Sequence, residues 1–318
     1  MRIGLLVLDG CLGSAVASII DIVTAAEALR PAVDPSIPGI ELSVAGPRKR
    51  VTASNGMTIT TDRTLRELAD LDVVVVGALG TITGPDTEAA LAGRAARSTV
   101  AALSTVDPGR ARIAAACTGV FTVAETGLLD GRQVTTTWFL TPVFKARYPA
   151  VSVDLDRMVV ADGPVLTAGA AFAHIDLALA IVGGISLELA QQVARLLLVD
   201  ERPSQAAFVS YDHLHHDDPL VRAFERHVRR HLDEPFDTSS VARAIGAGRR
   251  TLERRTRQVL DLTPLEIVQR LRLERAGHLR RTTDLTTDAI ARQVGYANAD
   301  TLRALERRAA NPTSRVAR

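Results

Sequence analysis

Five short apolar runs recur through the first 170 residues, and stretches with a helical pattern separate several of them. The runs are Arg2–Leu8, Glu41–Ala45, Asp72–Val76, Arg112–Ala116 and Pro164–Thr167. The helical stretches are Ser14–Leu29, Thr87–Leu103 and Gly119–Thr126. Val73–Val76 is four valines in a row. It has no polar face to turn to water, as expected of a central parallel strand covered on both sides. Strands alternating with helices predict an α/β doubly wound sheet. Ligands of such sheets bind beyond the carboxyl ends of the strands. Three of those ends are Asp9–Gly10–Cys11, Gly77–Ala78–Leu79–Gly80 and Cys117–Thr118–Gly119.

Composition narrows the function classes. The 318 residues are 47% hydrophobic and 23% charged, which suits a globular chain and not a disordered one. Aromatic residues are only 3%, too few for the stacking platforms of a single-stranded nucleic-acid binder. No apolar run reaches membrane-span length. The opening MRIGLLVLDG reads as a buried first strand and not as a signal peptide. Two cysteines, Cys11 and Cys117, make no disulfide framework, so the expected compartment is reducing and cytoplasmic. His213, His215 and His216 have no cysteine near them, and no Walker or GxGxxG loop is present. Neither a metal nor a cofactor is expected.

The third strand end carries the most chemistry. In RIAAACTGVFTVAETGLL an apolar strand leads to Cys117, then to a glycine two residues on, then to a helix. A cysteine on such a turn has the geometry of a nucleophile elbow, and a helix N-terminus lowers a thiol pKa. The alternative is a small buried cysteine. A nucleophile needs a base and an orienting group. His174 is the only histidine before residue 213, and it suits a pocket wall as well as catalysis. Asp9, Asp21 and Glu27 are the candidate carboxylates. The expected pocket lining is Asp9, Cys11, Asp21, Leu79, Cys117, Thr118, Trp138 and His174.

Charge divides the chain. From Asp218 onward there are 21 arginines, no lysine and 13 acidic residues, a net +8. The remainder carries −6, so the overall +2 hides a basic C-terminal third suited to a polyanion. Residues 200–217 are polar and irregular and read as a linker between domains 1–199 and 218–318.

The basic third has an all-helical pattern. Leu220–Leu232 is amphipathic. Thr238–Ala244, a turn at Ile245–Gly246–Ala247 and Gly248–Leu260 then form a helix-turn-helix pattern. A longer helix over Pro264–Leu279 opens with a Thr263–Glu266 capping box, with Leu265, Val268, Leu271 and Leu279 on or near one face. The pattern then repeats: Thr287–Gln293, a turn at Gly295, and Ala299–Arg308. VARAIGAGRRTLERRTRQ and IARQVGYANADTLRALERR share A-R, an aliphatic residue, Gly, T-L and an arginine-rich helix. Recognition helices place N-terminal side chains on base edges in the major groove. Those residues are Arg249, Arg250, Thr251 and Arg254 in the first unit, and Asn298, Ala299, Thr301 and Arg303 in the second. Asn298 suits adenine or a helix cap equally. Arg255, Arg257, Arg307 and Arg308 suit phosphates or solvent.

Two resemblances cover most of the chain. RIGLLVLDG, LDVVVVG, AACTGVFTVAETGLLDGRQVTTTW and LTAGAAFAHIDLALAIV resemble the PfpI-type, class I glutamine-amidotransferase-like family, whose fold is flavodoxin-like. RRTLERR, LTPLEIVQRLRLERA and TTDLTTDAIARQVGY resemble the AraC/XylS family's double helix-turn-helix domain. Their order resembles amidotransferase-like AraC-family regulators of the GlxA type. The resemblance implies that Cys117 is the elbow residue and that Asp21 lies near the acidic partner's place. It also implies a histidine just before Trp138, where this chain has Thr137. Thr137 cannot serve as an imidazole base, so the implied sensor binds a small metabolite without catalysis. The implied partners are double-stranded DNA, an effector bearing amine or carboxylate groups, and a second copy of the chain joined through the sensor, with activation as the commoner mode. The alternative is a PfpI-type cysteine hydrolase or glyoxalase-like enzyme using Cys117.

Overall fold

The apolar runs become the inner strands of a seven-stranded sheet. In the computed structural model these are β1 (Arg2–Leu6), β2 (Glu41–Gly46), β6 (Val73–Val76), β7 (Arg112–Ala116) and β11 (Val165–Ala168). The structure describes residues 1–200, 205, 218–260 and 262–310, and side chains are left out at 278, 281 and 308–310. The three linker histidines, 213, 215 and 216, lie outside the described residues. The chain divides into two compact units, Met1–Val209 and Ser210–Arg318.

In the first unit the strand order is β10-β11-β7-β6-β1-β2-β5, with β5 at Arg63–Thr64 and β10 at Val159–Asp162. Every pairing is parallel except β10 with β11. The register sets Leu5 of β1 between Val44 of β2 and Val75 of β6. The chain winds outward from β1 to β2 and β5, then reverses to β6, β7 and β11. The β1/β6 boundary is therefore the topological switch point, where doubly wound sheets bind ligands.

Each inner strand supplies both faces, because successive side chains point to opposite sides. Ile3, Leu5, Val73, Val75, Ala114 and Ala116 share one core with α1 (Gly13–Val33), α6 (Ala173–Gly183) and α7 (Leu187–Leu196). Leu6, Val74, Val76, Ile113 and Ala115 share the other with α2 (Gly84–Ala92), α3 (Arg94–Leu103), α4 (Gly119–Ala124) and α5 (Thr141–Arg147). All four valines of β6 are buried, as the run predicts.

Some expectations change. Thr87–Leu103 is two helices, because Gly93 adopts extended backbone (φ −65°, ψ 152°) and ends α2 while capping α3. A hairpin of β3 (Arg50–Thr52) and β4 (Thr58–Thr60) had no clear signal, since its strands are three residues long. The short strands β8 (Gln133–Val134) and β9 (Ser152–Val153) pair with each other for the same two-residue length.

The second unit is helical: α8 (Pro219–Arg230), α9 (Thr238–Ala244), α10 (Arg249–Leu260), α11 (Pro264–Thr282), α12 (Thr287–Gln293) and α13 (Ala299–Ala310). Asp218 caps α8 by accepting from the Leu220 and Val221 N–H groups, each at 2.9 Å. The Thr263–Glu266 capping box on α11 is formed in full. Gly246 and Gly295 occupy equivalent turns with φ +74° and +78°, a conformation that glycine adopts without penalty. Phe224, Leu252, Ile267 and Leu271 build one small core. Leu279, Ile290, Val294 and Leu302 build another. Leu265 departs from its expected apolar face: it is half exposed, and the fully buried Ile267 fills the core position.

Candidate functional site

Cys117 ends β7 with φ +54°, a left-handed conformation rare for a residue with a side chain. The surrounding groups hold it there. Its N–H donates to Ala168 O (3.1 Å) and Gly169 O (2.7 Å), and its carbonyl accepts from Thr136 Oγ1 (2.8 Å). Thr118 Oγ1 donates to Leu79 O (2.6 Å), and Cys11 bridges to Leu79 through the backbone. The ends of β1, β6 and β7 thus meet as the sequence implies. Gly119 lets the turn lie flat on β6, since a Cβ there would stand 2.6 Å from Val76 O.

Burial works against activation of the thiol. Cys117 is 3% exposed, and burial pushes its pKa up. The Thr118 N–H and the Thr137 and Thr118 hydroxyls favour the thiolate but do not offset burial. A helix N-terminus alone would lower the pKa; here desolvation outweighs it. Thr137 is fully buried, and its hydroxyl has no partner at full hydrogen-bond geometry. Cys11 is fully buried, and burial together with the charge of Asp9 raises its pKa to about 11.

The carboxylates do not gather at the sulfur. Asp9 pairs with Arg48 and accepts from the Thr52 N–H (3.0 Å), so it fastens the β3–β4 hairpin over the β1 end. Burial raises its pKa, but the Thr52 N–H and Arg48 outweigh it, and the net shift is downward. Asp21 is exposed on α1, eight residues beyond Gly13 or about 12 Å of helix rise. The first turn of α1 has no acid. Glu27 is held by Arg30 (2.9 Å) and the Ile40 N–H (2.8 Å), a local tie and not a catalytic one.

His174 is fully buried at the start of α6. Its Nδ1 donates to Ala171 O (2.6 Å), which leaves Nε2 an acceptor without a partner. Burial lowers its pKa to about 4, so the ring is neutral at physiological pH. Trp138 is half-buried and stacks edge-on against Phe139 (5.5 Å). Leu79 and Thr118 are buried at the strand ends.

Sequence reasoning missed one resident of this region. Gln205 is 1% exposed, and its Nε2 donates to Thr135 Oγ1 (2.8 Å) and Thr136 O (3.0 Å). A single glutamine in a polar stretch gives no local signal. Among the described residues no group of His, Cys, Asp and Glu could hold a metal.

The second unit places most of its expected residues outward. Arg249, Arg250, Thr251 and Arg254 on α10 are exposed, with Leu252 and Thr256 buried behind them. Arg249 pairs with Glu253 (2.8 Å) one turn on. On α13, Thr301, Arg303 and Arg307 are exposed, as is Asn298 just before it. Ala299 is buried at 5%, and its N–H donates to Asp288 Oδ1 (2.9 Å), which ties α13 to α12. Asn298 acts as a cap: its Oδ1 accepts from Thr301 N–H and Oγ1, both at 3.1 Å. Arg255, expected on phosphate or in solvent, instead pairs with the buried Asp218.

Comparison with known proteins locates this arrangement. Residues 14–183 match the DJ-1/PfpI family, and residues 241–314 match a helix-turn-helix domain. The chain belongs to the DJ-1/PfpI family. The HTH-type transcriptional regulator CdhR of Pseudomonas aeruginosa is 29% identical over 251 residues, covering 77% of this chain and 71% of that one. The HTH-type transcriptional regulator GlxA of Rhizobium meliloti is 26% identical over 196 residues, covering 59% of each. A crystal structure of a putative transcriptional regulator protein from Vibrio parahaemolyticus shares the fold, at 16% identity and TM-score 0.53, over 62% of this chain and 98% of that one. This DJ-1/PfpI chain therefore joins a flavodoxin-like α/β fold to an AraC-type helical domain.

Proposed function

We propose that this chain is a ligand-responsive transcriptional regulator that binds specific double-stranded DNA in the cytoplasm. Residues 1–199 act as the sensor, 200–217 as the linker and 218–318 as the DNA-binding domain. The observation that carries the reading is a pair of helices, α10 and α13, each buried on one side and exposing arginine and threonine on the other. Arg250 and Arg254 suit guanine edges, and each bidentate contact contributes roughly 1–3 kcal/mol of discrimination. Arg307 suits a phosphate. Asn298, committed to capping α13, contributes to the interface mainly by holding Thr301 and Arg303 in place.

The elbow serves as a wall of a metabolite site and not as a nucleophile. Supporting this are the buried thiol of Cys117, Thr137 beside it and the absence of an acid from the first turn of α1. Two sensors associate as a homodimer, and effector binding shifts the populations of arrangements that hold DNA differently.

Fluorescence anisotropy with the chain's own upstream region against a scrambled duplex tests this reading over a salt series. Preference for the upstream duplex, with affinity falling steeply as salt displaces counterions, is expected. Failure to bind either duplex at low salt contradicts it.

A further inference from the structure

The slot below the elbow is built for one chemical group. Its floor presents two acceptors to the Gln205 amide nitrogen. Thr136 O is a carbonyl and can only accept. Thr135 Oγ1 spends its proton on Arg157 O (3.3 Å) and turns lone pairs to the amide. Its wall is Gly169, and the three atoms nearest to a Cβ built there are Oε1 (2.6 Å), Cδ (2.7 Å) and Nε2 (3.0 Å) of Gln205. The missing side chain at 169 is the space that the carboxamide fills. The Gln205 Oε1 atom is buried and unpartnered, so the resident leaves one hydrogen bond unmade. The slot touches the elbow twice, because Thr136 Oγ1 donates to Cys117 O and Gly169 O accepts from Cys117 N–H.

We propose that this slot is a primary-carboxamide site, occupied in the free protein by Gln205 and opened to an effector carboxamide that displaces it. The proposal rests on the ligand-responsive reading above and names the chemistry of the effector. Two acceptors select an NH2 group and repel a carboxylate. An ammonium or guanidinium would satisfy the acceptors but carries a charge into a fully buried place, where desolvation is costly. A neutral carboxamide meets both conditions. It also suggests a route along the chain toward the DNA-binding unit, since Gln205 precedes the α8 cap Asp218 by thirteen residues in sequence.

A resident side chain lowers apparent affinity by the fraction of time that the slot is open. The test is calorimetric titration of the full-length protein with propionamide, propionate and propylamine. Gln205→Ala should bind propionamide at least about tenfold more tightly than the unaltered chain, by this competition argument. Propionate and propylamine should gain nothing, and Gln205→Ala combined with Gly169→Ala should lose the gain. Equal propionamide affinity in the presence and absence of the Gln205 side chain overturns the proposal, as does an equal gain for propionate. Should Gln205→Ala fail to fold, Gln205→Asn, one methylene short of the slot, gives the same comparison. Upstream-duplex anisotropy on the same samples separates the two readings. Intact DNA preference without carboxamide selectivity removes only the slot assignment, and absent DNA binding by the unaltered chain removes the regulator reading.

Discussion

The two units treat their chemically capable residues in opposite ways. In the first, Cys117, Cys11, Thr137 and His174 are drawn inside, and burial sets their properties. In the second, Arg249, Arg250, Arg254 and Arg303 are pushed outward while aliphatic residues hold the helices behind them. Burial raises both thiol pKa values and lowers that of His174, so the first unit is short of charged groups at the elbow. Exposure keeps the Arg250, Arg254 and Arg307 side chains open to a polyanion, whereas Arg255 and Arg272 are tied inward by Asp218 and by the Leu232 and Glu234 carbonyls. A buried neutral elbow suits recognition of a neutral ligand, and an exposed cationic helix suits DNA.

The sharpest way to break this contrast is thiol chemistry. Cys11 and Cys117 should react with a disulfide reagent at pH 7 at least about a hundredfold more slowly than in the unfolded chain, because thiolate and access are both withheld. Rapid stoichiometric labelling of Cys117 in the native protein would revive the nucleophile.

A pH titration follows in size. His174 has a folded pKa of about 4, below its ordinary 6.5, so the unfolded chain takes up the proton first as pH falls. The first unit is then most stable above pH 6.5 and loses about 2 kcal/mol by pH 5 through this group. Trp138 is the only tryptophan and lies in the first unit, so urea melts followed by its fluorescence read that unit. His174→Asn should remove this part of the slope; an unchanged slope would mean that the ring is not buried and neutral.

Smaller effects sharpen the second unit. Asp218→Ala removes the α8 cap and leaves Arg255 without its carboxylate, which should destabilise this unit by about 1–2 kcal/mol in calorimetric melts. Burial raises the Asp218 pKa, but the Val221 N–H and Arg255 lower it further. Its contribution is therefore present above the unfolded value of about 3.9 and disappears as pH falls below it. Asn298→Ala should cost about 1 kcal/mol of stability through the lost cap. A larger loss of specificity than of stability would return Asn298 to direct base reading.

Much of the frame was legible because its signals are local. The valine run, the elbow and the capping box are each contiguous, and β6, Cys117 and α11 formed where they stand. The repeat of Gly246 and Gly295 marked both helix turns. Signals that join distant residues were not legible. Nothing in sequence pairs Asp9 with Arg48, 39 residues away, or Asp218 with Arg255, 37 away. Gln205 with Thr135, 70 residues apart, is the extreme case. Asp21 was misplaced for a geometric reason: the helix had run two turns beyond the strand ends before reaching it.

The central claim is that specificity resides in the outward arginines and not in the buried elbow. Upstream-duplex anisotropy, compared between Arg250→Ala and Cys117→Ala, tests it most directly. Arg250→Ala should reduce discrimination against the scrambled duplex by roughly 5- to 150-fold, the equivalent of one bidentate base contact. Cys117→Ala should leave effector-free DNA binding within about twofold, as expected for a buried residue of the other compact unit. Undiminished preference in Arg250→Ala, with preference lost in Cys117→Ala, would contradict the account.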